Sequence, residues 1–241
     1  MTTSSVYIFA GGGTGGHLYP ALAVAEELAK IVPQGRIVFA CSDRPIDRRV
    51  LDATPYAIVP QPVRPLPHGV GDVWSFARGW LASRRLARDL LRDLSPSAVL
   101  GLGGFAAGPL VRQAAGAGLR CGLLNPDAVP GKANRYLARC VSAIFTQFDS
   151  TRATFKPRLQ SKVRAVGCPV RAGLTGASRD EAMRHFELRA DLRTLVVLGG
   201  SLGAASINDA ISSLAGDLEA LGDSWQLLHV TGPSKSSAVP M

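Results

Sequence analysis

Hydrophobic and polar positions along the chain repeat one unit: a short apolar run, a glycine-rich turn, then apolar residues at helical spacing. The first copy is Val6-Tyr7-Ile8-Phe9-Ala10, then Gly11-Gly12-Gly13-Thr14-Gly15-Gly16-His17, then an i, i+3, i+4 pattern over 18–30. A second copy begins at 97–101, where Gly101-Leu102-Gly103-Gly104-Phe105 with Gly108-Pro109 opens a helix reaching 117. A third begins at 195–198, followed by Gly199-Gly200-Ser201-Leu202-Gly203-Ala204 and a helix over 205–221. Between and after them the pattern predicts strands at 36–40, 56–59, 120–124, 142–146 and 225–230. Helices are expected at 44–51, 72–93, 132–138 and 179–188. Strands alternating with helices predict an α/β fold with parallel sheets.

A compositional shift at 163–171 reads as a linker. It divides the chain into a Rossmann-like domain over 1–165 and the beginning of a second over 166–241. Ligands of such sheets bind at the carboxyl ends of the strands, so two facing domains would place a cleft between their glycine turns. The stretch after 165 is too short for a full sheet covered on both faces, and it reads as cut short. Residues 235–241 show neither period and read as a frameshift or truncation scar.

A strand that turns sharply into a helix leaves backbone N–H groups unpaired at the positive end of the helix dipole. Glycines let an anionic oxygen approach that backbone, which suits a phosphate. Gly11, Gly13 and Gly16 also satisfy the G-x-G-x-x-G spacing of dinucleotide sites. That fingerprint requires an acid at the end of the second strand, and the nearest, Asp43, comes late. The nicotinamide reading weakens accordingly, and a tight turn without ligand stays open. His17, at a helix N-terminus, is pushed toward its neutral form and is the candidate general base.

The chain has 241 residues and a net charge of +9, which implies anionic partners. No basic run alternates with aromatics, so nucleic acid is not expected as a partner. The four cysteines and four histidines are scattered, so neither a disulfide framework nor a metal site is expected. The N-terminal residues lack a signal-peptide pattern and no apolar run is long enough to span a bilayer, which reads as a reduced, cytoplasmic chain. The helix at 72–93 changes the picture. Its first half carries Trp74, Phe76, Trp80 and Leu81 beside Arg78, Arg84 and Arg85. Rings next to arginines describe a surface that lies on anionic lipid.

With these turns in hand, the chain resembles the bacterial glycosyltransferase family that adds N-acetylglucosamine to undecaprenyl-linked muramyl-pentapeptide, forming lipid II for peptidoglycan. The resemblance rests on Gly12-Gly13-Thr14-Gly15-Gly16-His17 with 20–25, and on Gly101-Leu102-Gly103-Gly104-Phe105 with Gly108-Pro109. It also rests on Val129-Pro130-Gly131 with Ala133-Asn134-Arg135, on Val166-Gly167 with Pro169-Val170-Arg171, and on Gly199-Gly200-Ser201 with Gly203-Ala204. It implies the two-domain GT-B architecture and an inverting hexosyl transfer from UDP-GlcNAc by direct displacement, with no cofactor. It implies that Gly12, Gly13, Gly103 and Gly104 hold the acceptor diphosphate, and that Thr14, Gly15, Gly16, Asp127, Arg171 and Ser201 serve the donor or diphosphate. The patch around Trp74 and Trp80 would bind the cytoplasmic face of the inner membrane peripherally. The chain departs from the family's pattern at Leu124-Asn125-Pro126-Asp127, where His-Glu-Gln-Asn is usual, so a carboxylate replaces the amide at 127 and the glutamate is gone. Cys168 stands where Asn is usual and Leu202 where Gln is usual. The family's chains continue past 241, so these residues alone are expected to bind UDP-GlcNAc weakly and turn over little. Other readings left open are a non-catalytic remnant that keeps acceptor binding, and a transferase acting on a different lipid-linked acceptor.

Overall fold

The computed structural model of the chain describes residues 5–65, 69, 72–200 and 203–232. It forms two compact units that part after Ala172, rather than at 165. The reason is local. The Val166 N–H donates to the Thr146 carbonyl at 2.9 Å, and the Arg171 guanidinium lies over the Tyr19 ring at 4.9 Å, so 166–171 stay with the first unit.

That unit is a seven-stranded sheet whose registered pairs are all parallel, in the order β3-β2-β1-β4-β5-β6-β7. In chain order the elements are β1 (Val6–Gly11), α1 (Gly15–Ile31), β2 (Arg36–Ser42), α2 (Pro45–Leu51), β3 (Ala57–Gln61) and α3 (Asp72–Leu94). They continue with β4 (Ala98–Gly103), α4 (Gly104–Gly116), β5 (Cys121–Asn125), α5 (Lys132–Leu137), β6 (Ala143–Thr146), α6 (Pro157–Gln160) and β7 (Val163–Ala165). β7 corrects the linker reading of 163–171, since its three residues pair with β6 as the edge strand. A run so short shows no readable alternation. Neither do α6 and the 3₁₀ turn before it, Asp149–Thr154.

Because side chains alternate along a strand, Ile8 and Phe9 enter opposite cores. Ile8, Val38, Val99, Leu110 and Val111 fill one face, while Phe9, Leu18, Leu22, Phe39, Leu51 and Leu102 fill the other. Parallel strands buried on both sides read as continuous apolar runs, which is why the sequence marks β1, β2 and β4 so clearly. α3 packs on α4 through Ser83, Ala87, Leu90 and Leu91 and leaves its arginines in water.

The division falls within the first turn of α7 (Ala172–Thr175); the second unit continues with α8 (Arg179–His185), β8 (Arg193–Leu198), α9 (Ala205–Ser213), α10 (Ala215–Glu219) and β9 (Trp225–Val230). The helix expected over 205–221 is interrupted at Leu214, where Ser212-Ser213 and Gly216 are weak helix formers. β8 and β9 make a two-stranded parallel sheet. Among the described residues of this unit only Leu192 and Asn208 are buried.

The sheet order reverses between β1 and β4, and there the two glycine turns touch backbone to backbone. A Cβ on Gly11 would lie 2.7 Å from Leu102 Cβ and 2.8 Å from the Gly103 carbonyl oxygen; one on Gly104 would lie 2.8 Å from the Gly12 carbonyl oxygen. Gly104 also has φ +69°. Gly104→Ala therefore combines left-handed strain with a collision against backbone and is expected to cost about 2–4 kcal/mol, measured by urea denaturation. The thiols give a second check. Burial raises Cys41 to about 12 and Cys121 to about 11, whereas Cys140 is half-buried and Cys168 is exposed. A thiol reagent at pH 8 should modify Cys140 and Cys168 quickly, and Cys41 and Cys121 only after unfolding.

Candidate functional site

The first turn is held from beneath by an acid the sequence pattern did not mark. Asp47, fully buried in α2, accepts hydrogen bonds from the Gly13 N–H at 2.7 Å, the Ser42 N–H at 2.9 Å and the Ser42 hydroxyl at 2.6 Å. A Cβ on Gly12 would strike that carboxylate. Arg44 closes the other side, donating to the Gly13 carbonyl at 3.3 Å and lying over the Phe105 ring at 5.0 Å. The Gly13 amide thus faces an internal anion. What the turn offers a ligand is the Thr14 hydroxyl, which makes no capping bond, and the first-turn amides of Gly15 and Gly16, which lack intrahelical acceptors. The only sequence hint of Asp47 was an acid in the helix turn just after β2.

The second turn supplies a matching face. Gly103 and Gly104 have φ of +92° and +69°, which turns the chain straight into α4 with its first amides unpaired. Over Gly103 sit two polar groups. The point a Cβ would occupy there lies 3.1 Å from His17 Nε2 and 3.2 Å from Asn134 Oδ1. Asn134 is 2% exposed and its Oδ1 has no hydrogen-bond partner. Its orientation is fixed by a relay. Asn125 Nδ2 donates to the Asp127 carbonyl at 2.7 Å, so Asn125 Oδ1 faces Asn134 and accepts from its Nδ2 at 2.9 Å. Asn134 Oδ1 is left as an acceptor that wants a donor.

His17 Nδ1 lies 3.0 Å from Thr14 Oγ1. In the tautomer whose Nδ1–H donates to that hydroxyl, Nε2 keeps its lone pair toward Gly103. The imidazole pKa is lowered from its ordinary 6.5, chiefly by burial, against the opposing charges of Asp127 and Asp47 and a hydrogen bond with the Gly12 backbone. The direction is the one expected from the sequence, with burial as its largest cause. His17, Gly104, Asp127, Lys132 and Asn134 edge a groove of about 650 Å³ that runs between α3, α4 and α5, its other walls formed by Phe76, Trp80, Phe105, Gly108, Tyr136 and Leu137.

The remaining expected residues fall as follows. Arg171 lies on α1 over Tyr19, its Nε buried without a hydrogen-bond partner. Ser201 and Leu202 lie outside the described residues. Trp74 is 79% exposed and Leu81 54% exposed, and Arg78, Arg84 and Arg85 are exposed with them. Phe76 and Trp80 instead stack on each other at 6.1 Å between centroids and turn toward the groove. Among the described residues no helix is long and apolar enough to cross a membrane.

A doubly wound sheet with glycine turns meeting at its switch point is the fold of the GT-B glycosyltransferases and their structural neighbours. MurG of Acinetobacter baumannii superimposes with a TM-score of 0.65 at 20% identity, over 96% of this chain and 67% of that one. The UDP-GlcNAc 2-epimerase of Methanocaldococcus jannaschii gives 0.62 at 15% identity, over 95% of this chain and 66% of that one. The glycosyltransferase family 28 N-terminal domain matches residues 7–146, and the chain belongs to that family. Two curated relatives are named UDP-N-acetylglucosamine--N-acetylmuramyl-(pentapeptide) pyrophosphoryl-undecaprenol N-acetylglucosamine transferase. The one from Halothermothrix orenii is 33% identical over 93% of this chain and 60% of its own length. The one from Chlorobium limicola is 38% identical over 85% of this chain and 57% of its own length. The chain therefore spans less than two thirds of the relatives it matches.

The site predicts its own titration. Removing the Asp127 charge removes a contribution that holds the His17 pKa up, so Asp127→Asn should move it further below 6.5, read from the imidazole Cε1–H resonance. Because the folded pKa lies below the unfolded one, His17 also makes stability fall as pH drops below 6.5, and His17→Gln should flatten that limb.

Proposed function

We propose that this chain carries the acceptor-binding half of a transferase that moves N-acetylglucosamine from UDP-GlcNAc to a lipid-linked muramyl-pentapeptide diphosphate at the cytoplasmic face of the membrane. The observation that carries the reading is the pair His17 Nε2 and Asn134 Oδ1 converging above Gly103, beside the unpaired amides of two helix N-termini. A hydroxyl held there can donate to Asn134 Oδ1 or to His17 Nε2. In the transfer, His17 takes the proton of the sugar C4 hydroxyl as its oxygen bonds to the anomeric carbon of the donor. The bond from that carbon to the UDP oxygen breaks, and UDP leaves with the electron pair, inverting the centre. The amides of Gly15, Gly16, Gly104 and Phe105 suit diphosphate oxygens, since aligned N–H dipoles stabilise anions without reorganising. Arg171 and Ser201 are assigned to the donor by family likeness. The exposed Trp74 and Leu81 with Arg78, Arg84 and Arg85 would hold the protein on anionic lipid. Neither a cofactor nor nucleic acid enters this reading.

A second reading is favoured by the placement of the site: His17, Asn134 and both touching glycine turns all lie in the first unit. On that reading the 241 residues bind acceptor and membrane without catalysis.

Calorimetry with a water-soluble muramyl-pentapeptide diphosphate and with UDP-GlcNAc tests the first reading. The acceptor should bind more tightly than the donor, and Asn134→Ala should weaken the acceptor by about tenfold, the loss of one buried hydrogen bond. Donor binding without acceptor binding would contradict it. Radiolabelled transfer separates the two readings: slow turnover fits the first, acceptor binding with none fits the second, and turnover at the rate of full-length relatives contradicts both.

A further inference from the structure

The groove beside His17 has two kinds of wall. Its polar lining is His17, Asp127, Lys132 and Asn134; its apolar lining includes Phe76, Trp80, Phe105, Gly108 and Tyr136. Phe76 and Trp80 belong to α3, the helix that also carries the exposed Trp74 and Leu81. Gly108 sits in the interior of α4, where glycine is the weakest helix former after proline. A Cβ there would lie 2.9 Å from Trp80 Cζ3 and 3.1 Å from its Cη2. The missing side chain is what lets the indole lie back against α4 and keeps the trough open. Phe76 stacks on the outer side of the same indole.

Resting on the acceptor reading above, the geometry points to a prenyl slot: the groove between α3 and α4–α5 seats the first isoprene units of the acceptor lipid, leading from the diphosphate at the two glycine turns out to the membrane-facing helix. A single, largely apolar trough whose polar lining includes Lys132 and Asn134, with Asp127 beside them and the glycine-turn amides adjoining, matches a one-chain amphiphile with a diphosphate head. A diacyl phospholipid presents two tails and a head between them, which this one channel does not match. The aromatic walls suit a branched chain, since methyl groups pack on flat rings with little entropy lost by the protein.

Calorimetry on the 241-residue chain, with pyrophosphate, geranyl diphosphate and farnesyl diphosphate below their aggregation limits, tests the slot. Geranyl diphosphate should bind at least tenfold tighter than pyrophosphate, a difference of about 1.4 kcal/mol, because apolar carbons leave water. Gly108→Ala drives the indole into the trough and should remove that gain while leaving pyrophosphate affinity unchanged. Tyr136→Asp places a charge on the exposed rim, where folding is not at risk, and should weaken both prenyl diphosphates at least tenfold. Affinity independent of the prenyl chain, a gain that survives both variants, or equal displacement by dihexanoyl phosphatidylglycerol would overturn the proposal. A muramyl-pentapeptide diphosphate bearing a methyl group in place of the lipid separates the two claims. If it binds while prenyl length has no effect, the slot fails and the acceptor reading stands. If the prenyl diphosphates bind but the muramyl group adds nothing, the slot stands and the acceptor reading fails.

Discussion

Everything in the first unit depends on one close approach: the backbones of two glycine turns in contact at the point where the sheet order reverses. Gly11 meets Leu102 and Gly103, and Gly104 meets the Gly12 carbonyl, at distances no Cβ would permit. That contact sets the N-termini of α1 and α4 side by side, so two helix dipoles with unpaired amides serve one volume. It also puts His17 of α1 against Gly103 of β4, and so against Asn134 of α5. The polar groups of the candidate site come from separate elements, and it is bare backbone that lets them meet.

The first turn keeps its shape because Asp47 holds it. A buried carboxylate that accepts three hydrogen bonds is well satisfied, and it fixes Gly13 and Ser42 at once. The same arrangement decides where a ligand anion is not seated, since the Gly13 amide already faces a negative charge. Asp127 acts from the open side. Its charge lies near enough to His17 to raise its pKa against the effect of burial, a balance that a neutral amide at this position would not provide.

Much of this was legible in the sequence. β1, β2 and β4 are buried on both faces, so their apolar runs are continuous, and each glycine turn announces the helix after it. The family-like segments fall on the two turns that touch, and His17 stands at a helix start. Asp47 was not marked, because its importance comes from a backbone 34 residues away that pattern cannot connect. β7 was read as linker because three residues show no period. Phe76 and Trp80 were grouped with Trp74 by proximity in sequence. The helix separates them, sending two rings into a groove and one into solvent. In sequence Gly108 is one residue of a motif; its structural reason is the Trp80 indole on α3.

The central claim is that the two touching turns form one seat for a diphosphate, through the amides of Gly15, Gly16, Gly104 and Phe105. The most direct measurement is a pyrophosphate titration of the ¹⁵N-labelled chain followed by amide resonances. The account predicts saturable shifts of those four amides with one shared dissociation constant, while the Gly13 amide, bonded to Asp47, stays nearly still. Shifts confined to one turn, or a Gly13 amide that moves as far as the others, would contradict it.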